Sequence, residues 1–293
     1  MTGEAAPGYI PYPYVANTVK VRMPGPKILT IAREPLDRAW SSYNYNYVRD
    51  ALKIIKRKGP SKGYPRRESD EYYKEHHVFQ FEDFIQTELT LLKNCMEPGG
   101  KAEEFARSNY YNKFKVEYER REREGLPPLL DIINACYPQP KYKSSPREQW
   151  SKMIEENPER EIGTPNLHLV EAFIGRGLYA AQVEWWYAAF PKGDNYLVCS
   201  EDLKERPAET MLNVSKFLGL PDFDFTDVVG EGMFNVAGHK GYDKATPWEE
   251  VEEEKESKLS DIPLSAALRD ELLEFLKTQN ERLFALAGKR CPW

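Results

Sequence analysis

One short stretch constrains the fold of this chain more than any other: an apolar run that ends in an arginine and is followed at once by a proline-led segment. Residues 27–33 read Lys-Ile-Leu-Thr-Ile-Ala-Arg, and a run of this length, rich in Ile and Leu, predicts a buried β-strand. Pro35 suits the first position of a helix, where its missing N–H costs nothing. The sequence therefore predicts a strand that ends at Arg33 and a helix that begins at Pro35.

This strand and helix also predict a site for an anion. Ser41 follows Arg33 in the sequence and lies about two turns into the predicted helix, since a helix rises ~1.5 Å per residue. Open α/β sheets bind ligands in the crevice at the carboxyl ends of their strands. A guanidinium and a hydroxyl that converge there can hold one phosphate group, the arginine through a charge-assisted fork.

Four segments of the chain resemble, in the same order, the motifs of sulfotransferases that use 3′-phosphoadenosine 5′-phosphosulfate (PAPS). Residues 33–41 (R-E-P-L-D-R-A-W-S) resemble the 3′-phosphate-binding motif, and residues 177–191 resemble the family's G-x-Y…W…F-P helix. Residues 196–220 are similar to its E-D-L…P…F-L-G-L strand and helix, and residues 239–242 (H-K-G-Y) stand where the family has a cofactor-binding loop. The segments look most like the membrane-associated carbohydrate branch, which includes heparan sulfate sulfotransferases.

The resemblance implies an α/β protein of the P-loop NTPase-like sulfotransferase fold, with a central parallel sheet flanked by helices. Residues 1–293 are then a single sulfotransferase-like domain with a helical or irregular insertion at about 49–170. The implied reaction is direct transfer of a sulfuryl group from PAPS to a hydroxyl or amine of a saccharide or similar acceptor, without a metal. The implied cofactor-binding residues are Arg33, Ser41, Lys240, Gly241 and Tyr242.

One motif of that family is not found. Its 5′-phosphosulfate loop carries a lysine and a threonine or serine between the first strand and the first helix, where backbone N–H groups cradle phosphates. Residues 1–26 hold no Gly-rich turn of this kind, and Gly99-Gly100-Lys101 follows a predicted helix end and is interpreted as a turn. The first strand, this loop and the usual catalytic Glu or His are therefore expected to be missing, and no catalytic residue is assigned.

Two functional hypotheses stay open at this point. The chain is either a sulfotransferase, truncated only in the sequence given, or a diverged, non-catalytic homologue that binds a nucleotide or acts as a scaffold. Some family members carry a histidine four residues after the motif serine, and Tyr45 stands at that position here.

Composition limits the partners and the compartment. A net charge of −6 argues against general nucleic-acid binding. No run of 18 apolar residues exists, so no transmembrane segment is expected in this chain. The resemblance implies the Golgi lumen if a preceding segment carries an anchor, and the cytoplasm otherwise; the oligomeric state is not decided by the sequence.

The cysteines, Cys95, Cys136, Cys199 and Cys291, show no CxxC spacing, so a zinc site is not expected. Cys199 lies in a predicted buried strand and is interpreted as a core thiol, whereas Cys95 and Cys136 can form a disulfide if the chain is lumenal. The many Lys and Arg residues between 49 and 67 either receive an anionic glycan or belong to a solvated loop. Residues 1–26, rich in Pro and Tyr, are expected to be irregular.

Overall fold

Helices make up most of the computed structural model, which describes residues 3–6, 8–49, 51–53, 69–137, 172–232, 245–247 and 259–293. The strands are β1 (Ile28–Ala32) and β2 (Asn195–Cys199). The helices are α1 (Pro13–Arg22), α2 (Pro35–Ser42), α3 (Asp70–His77), α4 (Phe81–Cys95), α5 (Lys101–Tyr110), α6 (Lys115–Glu124), α7 (Ile132–Cys136), α8 (Tyr179–Ala189), α9 (Ser200–Glu205), α10 (Pro207–Leu218), α11 (Thr226–Gly230) and α12 (Ala266–Ala287). A π-helical turn covers Tyr43–Val48, and 3-10 turns cover Tyr111–Lys113, Gly175–Gly177, Lys192–Asp194 and Leu259–Asp261.

The two predicted strands pair in parallel. Ile28 lies opposite Asn195 and Ala32 lies opposite Cys199, so both strands end at the same edge of the sheet. Within the described residues this sheet has two strands, and a small parallel sheet among helices fits the α/β class. The larger sheet and P-loop arrangement, and the single-domain organisation, stay predictions.

Helices cover one face of this sheet and part of the other. On one face, Leu197 and Cys199 share a buried cluster with Leu283 and Phe284 of α12. On the other face, Tyr196 stacks on Phe217 of α10, with ring centroids 5.0 Å apart. Leu29 and Ile31 of β1 lie on this second face and are 38% and 52% exposed, so the prediction that this strand is buried is wrong on that side, where α10 covers β2 and not β1.

Helix α2 begins as the sequence predicts. Pro35 occupies the first turn, and the carboxylate of Glu34 caps the helix by accepting the N–H of Asp37 at 2.6 Å. Leu36 and Ala39 are buried in the largest apolar cluster. The helix runs directly into the π-helical turn, whose Tyr43 and Tyr47 pack in the same cluster.

The prediction that residues 1–26 are irregular is wrong, because α1 covers Pro13–Arg22. Pro13 begins the helix, and the following residues up to Arg22 contain neither Gly nor Pro. Ala16 is fully buried in a cluster that includes Trp185 and Trp186 of α8. Tertiary packing on α8 thus stabilises a segment whose composition favours a loop.

The interpretation of Cys199 as a core thiol is also wrong. Cys199 forms a disulfide with Cys291, a residue beyond α12 and 92 positions away in the sequence. The pairing that was left open, Cys95 with Cys136, is present as a disulfide between α4 and α7. Each bond closes a long loop and joins elements that are distant in the chain.

Among the described residues, no helix combines the length and the apolar character needed to cross a bilayer. Most of the basic segment at 49–67 lies outside the described residues. The part of the predicted insertion that follows residue 137 also lies outside them.

Candidate functional site

Arg33 follows β1 directly, and one carboxylate fixes its side chain. Its Nε donates a hydrogen bond to Oδ2 of Asp37 at 2.5 Å. The side chain of Arg33 is 35% exposed, and its Nη1 and Nη2 atoms donate to no acceptor within the residues that the structure describes. Asp37 therefore orients the guanidinium through one nitrogen and leaves the terminal pair of donors available to a ligand.

Ser41 lies on the same face of α2 as Asp37, because residues four apart on a helix are neighbours, with Cβ atoms about 5–6 Å apart. Ser41 is half-buried. Its hydroxyl makes no hydrogen bond within the described part of the chain. The predicted Arg-x7-Ser spacing thus corresponds to a guanidinium and a hydroxyl with one aspartate between them.

The backbone around Arg33 is held from two sides. The N–H of Arg33 donates to the hydroxyl of Tyr179 on α8 at 3.3 Å. The N–H of Glu34 donates to Oε1 of Glu201, just after β2, at 2.9 Å. Glu201 thus holds the backbone between β1 and α2 in place.

Asp37 contacts the side chain of Arg33, Glu34 follows Arg33 in the chain, and Glu201 binds the backbone of Glu34. Burial raises the pKa of Glu34, and the nearby Asp37 and Glu201 add to the rise, while the N–H groups of Asp37 and Leu36 oppose it. Burial also raises the pKa of the Tyr179 hydroxyl, which stays protonated at neutral pH. Since several acids lie beside Arg33, a bound phosphate group would gain from a further cation.

The second arginine of the motif, Arg38, has a structural role. It faces inward, where its Nη2 donates to the carbonyl oxygens of Ala172 (3.1 Å) and Phe173. Burial lowers the pKa of Arg38. These contacts join α2 to the segment that leads into α8, and Gly177 permits a close approach, since a Cβ atom there would lie 3.0 Å from Cβ of Pro35.

A buried carboxylate organises the same segment. Glu88 of α4 is 1% exposed and accepts the N–H groups of Phe173 (3.1 Å), Ile174 (2.9 Å) and Gly175 (3.0 Å), together with the hydroxyl of Tyr137. Burial raises the pKa of Glu88, although these donors and Arg38 oppose the rise. The turn before α8 is thereby fixed in position, and with it the Tyr179 hydroxyl that meets Arg33.

Lys240, Gly241 and Tyr242, the remaining predicted cofactor-binding residues, lie outside the described residues. Sequence reasoning missed Asp37, Tyr179 and Glu201 as neighbours of Arg33. The i, i+4 spacing of Arg33 and Asp37 was a usable signal. The other two contacts join residues 146 and 167 positions apart, and no local pattern carries such information.

A cavity of about 260 Å³ lies away from this edge, between the end of α4 and helices α5, α6 and α12. Its arginines already have partners: Arg107 pairs with Glu122, Arg121 with Glu117, and Arg282 with Glu184. The cavity therefore offers a ligand less positive charge than its composition suggests. Within the described residues, no group of three or more His, Cys, Asp or Glu side chains is arranged to hold a metal ion.

The fold and this site define an α/β protein that presents an arginine at the carboxyl edge of a parallel sheet. The chain is 20% identical to the membrane-associated sulfotransferase kil1 of Dictyostelium discoideum over 303 aligned residues. The alignment covers 100% of this chain and 53% of the relative. The chain thus spans about half the length of that curated relative. This similarity supports the sulfotransferase family to which the motifs point.

Among solved structures, a sulfotransferase from Alicyclobacillus acidocaldarius matches with a TM-score of 0.39 and 17% identity, over 97% of this chain and 63% of that one. No model of a known protein family matches the chain.

Proposed function

We propose that this protein is a sulfotransferase that transfers a sulfuryl group from PAPS to a hydroxyl or amine of a carbohydrate-type acceptor. The similarity to a sulfotransferase along the whole chain supports the reaction class. The motif at 33–41 supports a donor that carries a 3′-phosphate, and the likeness of the four segments to the carbohydrate branch supports a saccharide acceptor.

One observation carries the proposal: the way in which Asp37 holds Arg33. A phosphate group needs paired N–H donors, and Nη1 and Nη2 of a guanidinium supply them in a fixed fork. Asp37 uses Nε alone, so the guanidinium is oriented before a ligand arrives and less conformational entropy is lost on binding. The hydroxyl of Ser41, on the same helix face as Asp37, is suited to donate to the same anion.

The role of these residues is to bind and to orient. PAPS, when bound, supplies the activated sulfuryl group. Arg33 and Ser41 would hold the 3′-phosphate at the other end of the nucleotide, and Lys240 to Tyr242 would close over it. Transfer reactions of this kind depend on placing the reacting groups and stabilising their charge, so a firm grip on the nucleotide contributes directly to the rate. The two disulfides support folding in an oxidising compartment such as the Golgi lumen.

Calorimetric titration with adenosine 3′,5′-bisphosphate tests the proposal. Arg33→Ala should weaken binding about 10- to 100-fold, because a hydrogen-bonded charge pair is lost. Arg123→Ala, which removes an exposed arginine of α6, is the matched control and should bind like the wild type. Adenosine 5′-monophosphate should bind weakly to the wild type, and its affinity should not change in Arg33→Ala.

The site assignment is contradicted if the wild type and Arg33→Ala bind the bisphosphate equally well. It is also contradicted if neither protein binds it. A second assay follows transfer of labelled sulfate from PAPS to a panel of glycans. Transfer that is reduced by Arg33→Ala supports the enzyme, whereas nucleotide binding without transfer to any acceptor favours the non-catalytic homologue.

A further inference from the structure

Residues 288–293, which follow α12, lie against the carboxyl end of β2 through three contacts of different kinds. Cys291 forms the disulfide with Cys199, the last residue of β2. Nζ of Lys289 pairs with Oδ2 of Asp202 at 2.8 Å. The indole N–H of Trp293 donates to Oε2 of Glu201 at 2.9 Å. We name residues 288–293 the closing segment.

The closing segment reaches the backbone of Arg33 by two routes. Glu201 uses Oε2 for Trp293 and Oε1 for the N–H of Glu34, so one carboxylate joins the segment to the residue after Arg33. The ring of Trp293 also lies 6.4 Å, centroid to centroid, from the ring of Tyr179, whose hydroxyl accepts the N–H of Arg33.

We propose that the closing segment positions Arg33 for the 3′-phosphate, and that the Cys199–Cys291 disulfide and nucleotide binding are therefore thermodynamically coupled. This inference rests on the proposed function. Trp293, Cys291 and Glu201 are positioning residues, since they act through the backbone of Arg33 and Glu34 and touch no ligand.

The disulfide is the strongest of the three contacts. Cys199 and Cys291 are fully buried, whereas the Lys289–Asp202 pair is partly exposed and contributes little by itself. When a dithiol reduces the disulfide, the S–S bond breaks, two thiols form, and the dithiol becomes a disulfide as it gives up two electrons and two protons. The closing segment is then no longer covalently attached to β2. The hydrogen bond between Trp293 and Glu201 is weakened as a result, and the Glu201 carboxylate gains freedom to leave the N–H of Glu34.

The first test compares affinities for adenosine 3′,5′-bisphosphate. Trp293→Phe keeps an aromatic ring and removes the indole donor, and we expect about 2- to 10-fold weaker binding, as for the loss of one hydrogen bond. The double variant Cys199→Ser/Cys291→Ser should lose at least as much. The matched control is Arg290→Ala, which removes a residue of the same segment whose ion-pair partner is the exposed Glu281, and it should keep the wild-type affinity. Binding of adenosine 5′-monophosphate should be the same in all variants.

The second test measures how bound nucleotide changes the stability of the disulfide. It needs only the wild type, so it tests the proposal even if a double cysteine variant fails to fold. If the disulfide strengthens binding by some factor, bound nucleotide must favour the disulfide over the two thiols by that same factor. The wild type is equilibrated in dithiothreitol buffers of graded ratio, with and without the bisphosphate, and each pair is quantified by thiol labelling. Saturating nucleotide should shift the equilibrium of Cys199–Cys291 more than that of Cys95–Cys136.

The possible failures are distinguishable. If the wild type does not bind the bisphosphate, the proposed function is overturned and this inference with it. If the wild type binds in an Arg33-dependent way but Trp293→Phe binds equally well, or both disulfides shift alike, the inference is overturned and the proposed function stands.

Discussion

At the residue scale, the site depends on acids that hold other groups in place. Asp37 orients the Arg33 guanidinium, Glu34 caps α2, and Glu201 joins two backbone segments. Glu34 is 8% exposed, and ionising it there has a cost, which is why its pKa is raised. A carboxylate that serves as a helix cap is thus kept in an environment that disfavours its charge.

The variant Glu34→Gln should change how stability depends on pH. A raised pKa means that the native state holds the proton more tightly than the unfolded chain, so the free energy of unfolding falls as pH rises from the ordinary glutamate value through the raised one. Gln keeps an acceptor for the N–H of Asp37 and cannot ionise. Urea unfolding from pH 4 to pH 8 should show the wild type losing stability relative to Glu34→Gln over that interval, and parallel profiles would contradict the assignment.

Some residues of the candidate site could be chosen from the sequence because they lie close together along the chain. Arg33, Pro35 and Ser41 lie within nine residues of one another, so strand and helix geometry alone predicts that the guanidinium and the hydroxyl lie on one side. Glu201 and Trp293 carry no such signal, since their roles depend on a contact across 92 positions. The residues that we propose to bind the ligand could be chosen from the sequence, whereas those that hold Arg33 in place could not.

At the element scale, one buried carboxylate joins three helices. Glu184 of α8 is 3% exposed and accepts Nε and Nη2 of Arg282 on α12, each at 2.5 Å. Nη1 of Arg121 on α6 lies 3.4 Å from the same carboxylate. Since α8 also carries Tyr179, this cluster sets the position of the helix that supports Arg33.

Glu184→Ala should lower the free energy of unfolding by roughly 3–5 kcal/mol, because it leaves two guanidinium groups in the interior without their common partner. Urea denaturation followed by tryptophan fluorescence measures the loss. Glu119→Ala, which removes an exposed partner of Lys115 on α6, is the control and should change stability by no more than about 0.5 kcal/mol. Similar losses in the two variants would show that the Glu184 cluster adds nothing.

Elements with a strong local pattern were predicted, and those that depend on packing were not. Helix α10 lies within residues 196–220, where the motif predicts a strand and a helix, and Pro207 and Gly219 delimit it, the glycine with φ +69°. Helix α1 was missed because its stability comes from Ala16 against α8. The π-helical turn was missed because nothing in the composition of residues 43–48 separates it from an ordinary helix.

At the scale of the whole molecule, two disulfides connect distant parts of the chain. One joins α4 to α7 across 41 positions, and the other joins β2 to the closing segment across 92. Pairing of Cys199 could not be predicted, because a strand cysteine looks the same in sequence whether it is a core thiol or half of a cross-link. The order of the four motif segments, by contrast, was readable along nearly the whole chain.

Removing the α4–α7 cross-link should destabilise the protein. For a loop of 41 positions, Cys95→Ser/Cys136→Ser should lower the free energy of unfolding by about 4 kcal/mol, since the unfolded chain regains the entropy of the open loop. Urea unfolding of the oxidised wild type and of the variant gives the difference. An unchanged midpoint would mean that the bond does not restrict the unfolded chain.

The π-helical turn determines how the chain tolerates a change of length. Tyr47 and Val48, and then Ala51 and Leu52, are all buried in the largest apolar cluster. A wide turn absorbs one residue without rotating the helix beyond it, so deleting a single residue between 43 and 48 can restore an ordinary helix while Ala51 and Leu52 keep their direction toward the cluster. The same deletion beyond the turn would rotate the following residues by about 100° and move apolar side chains into water.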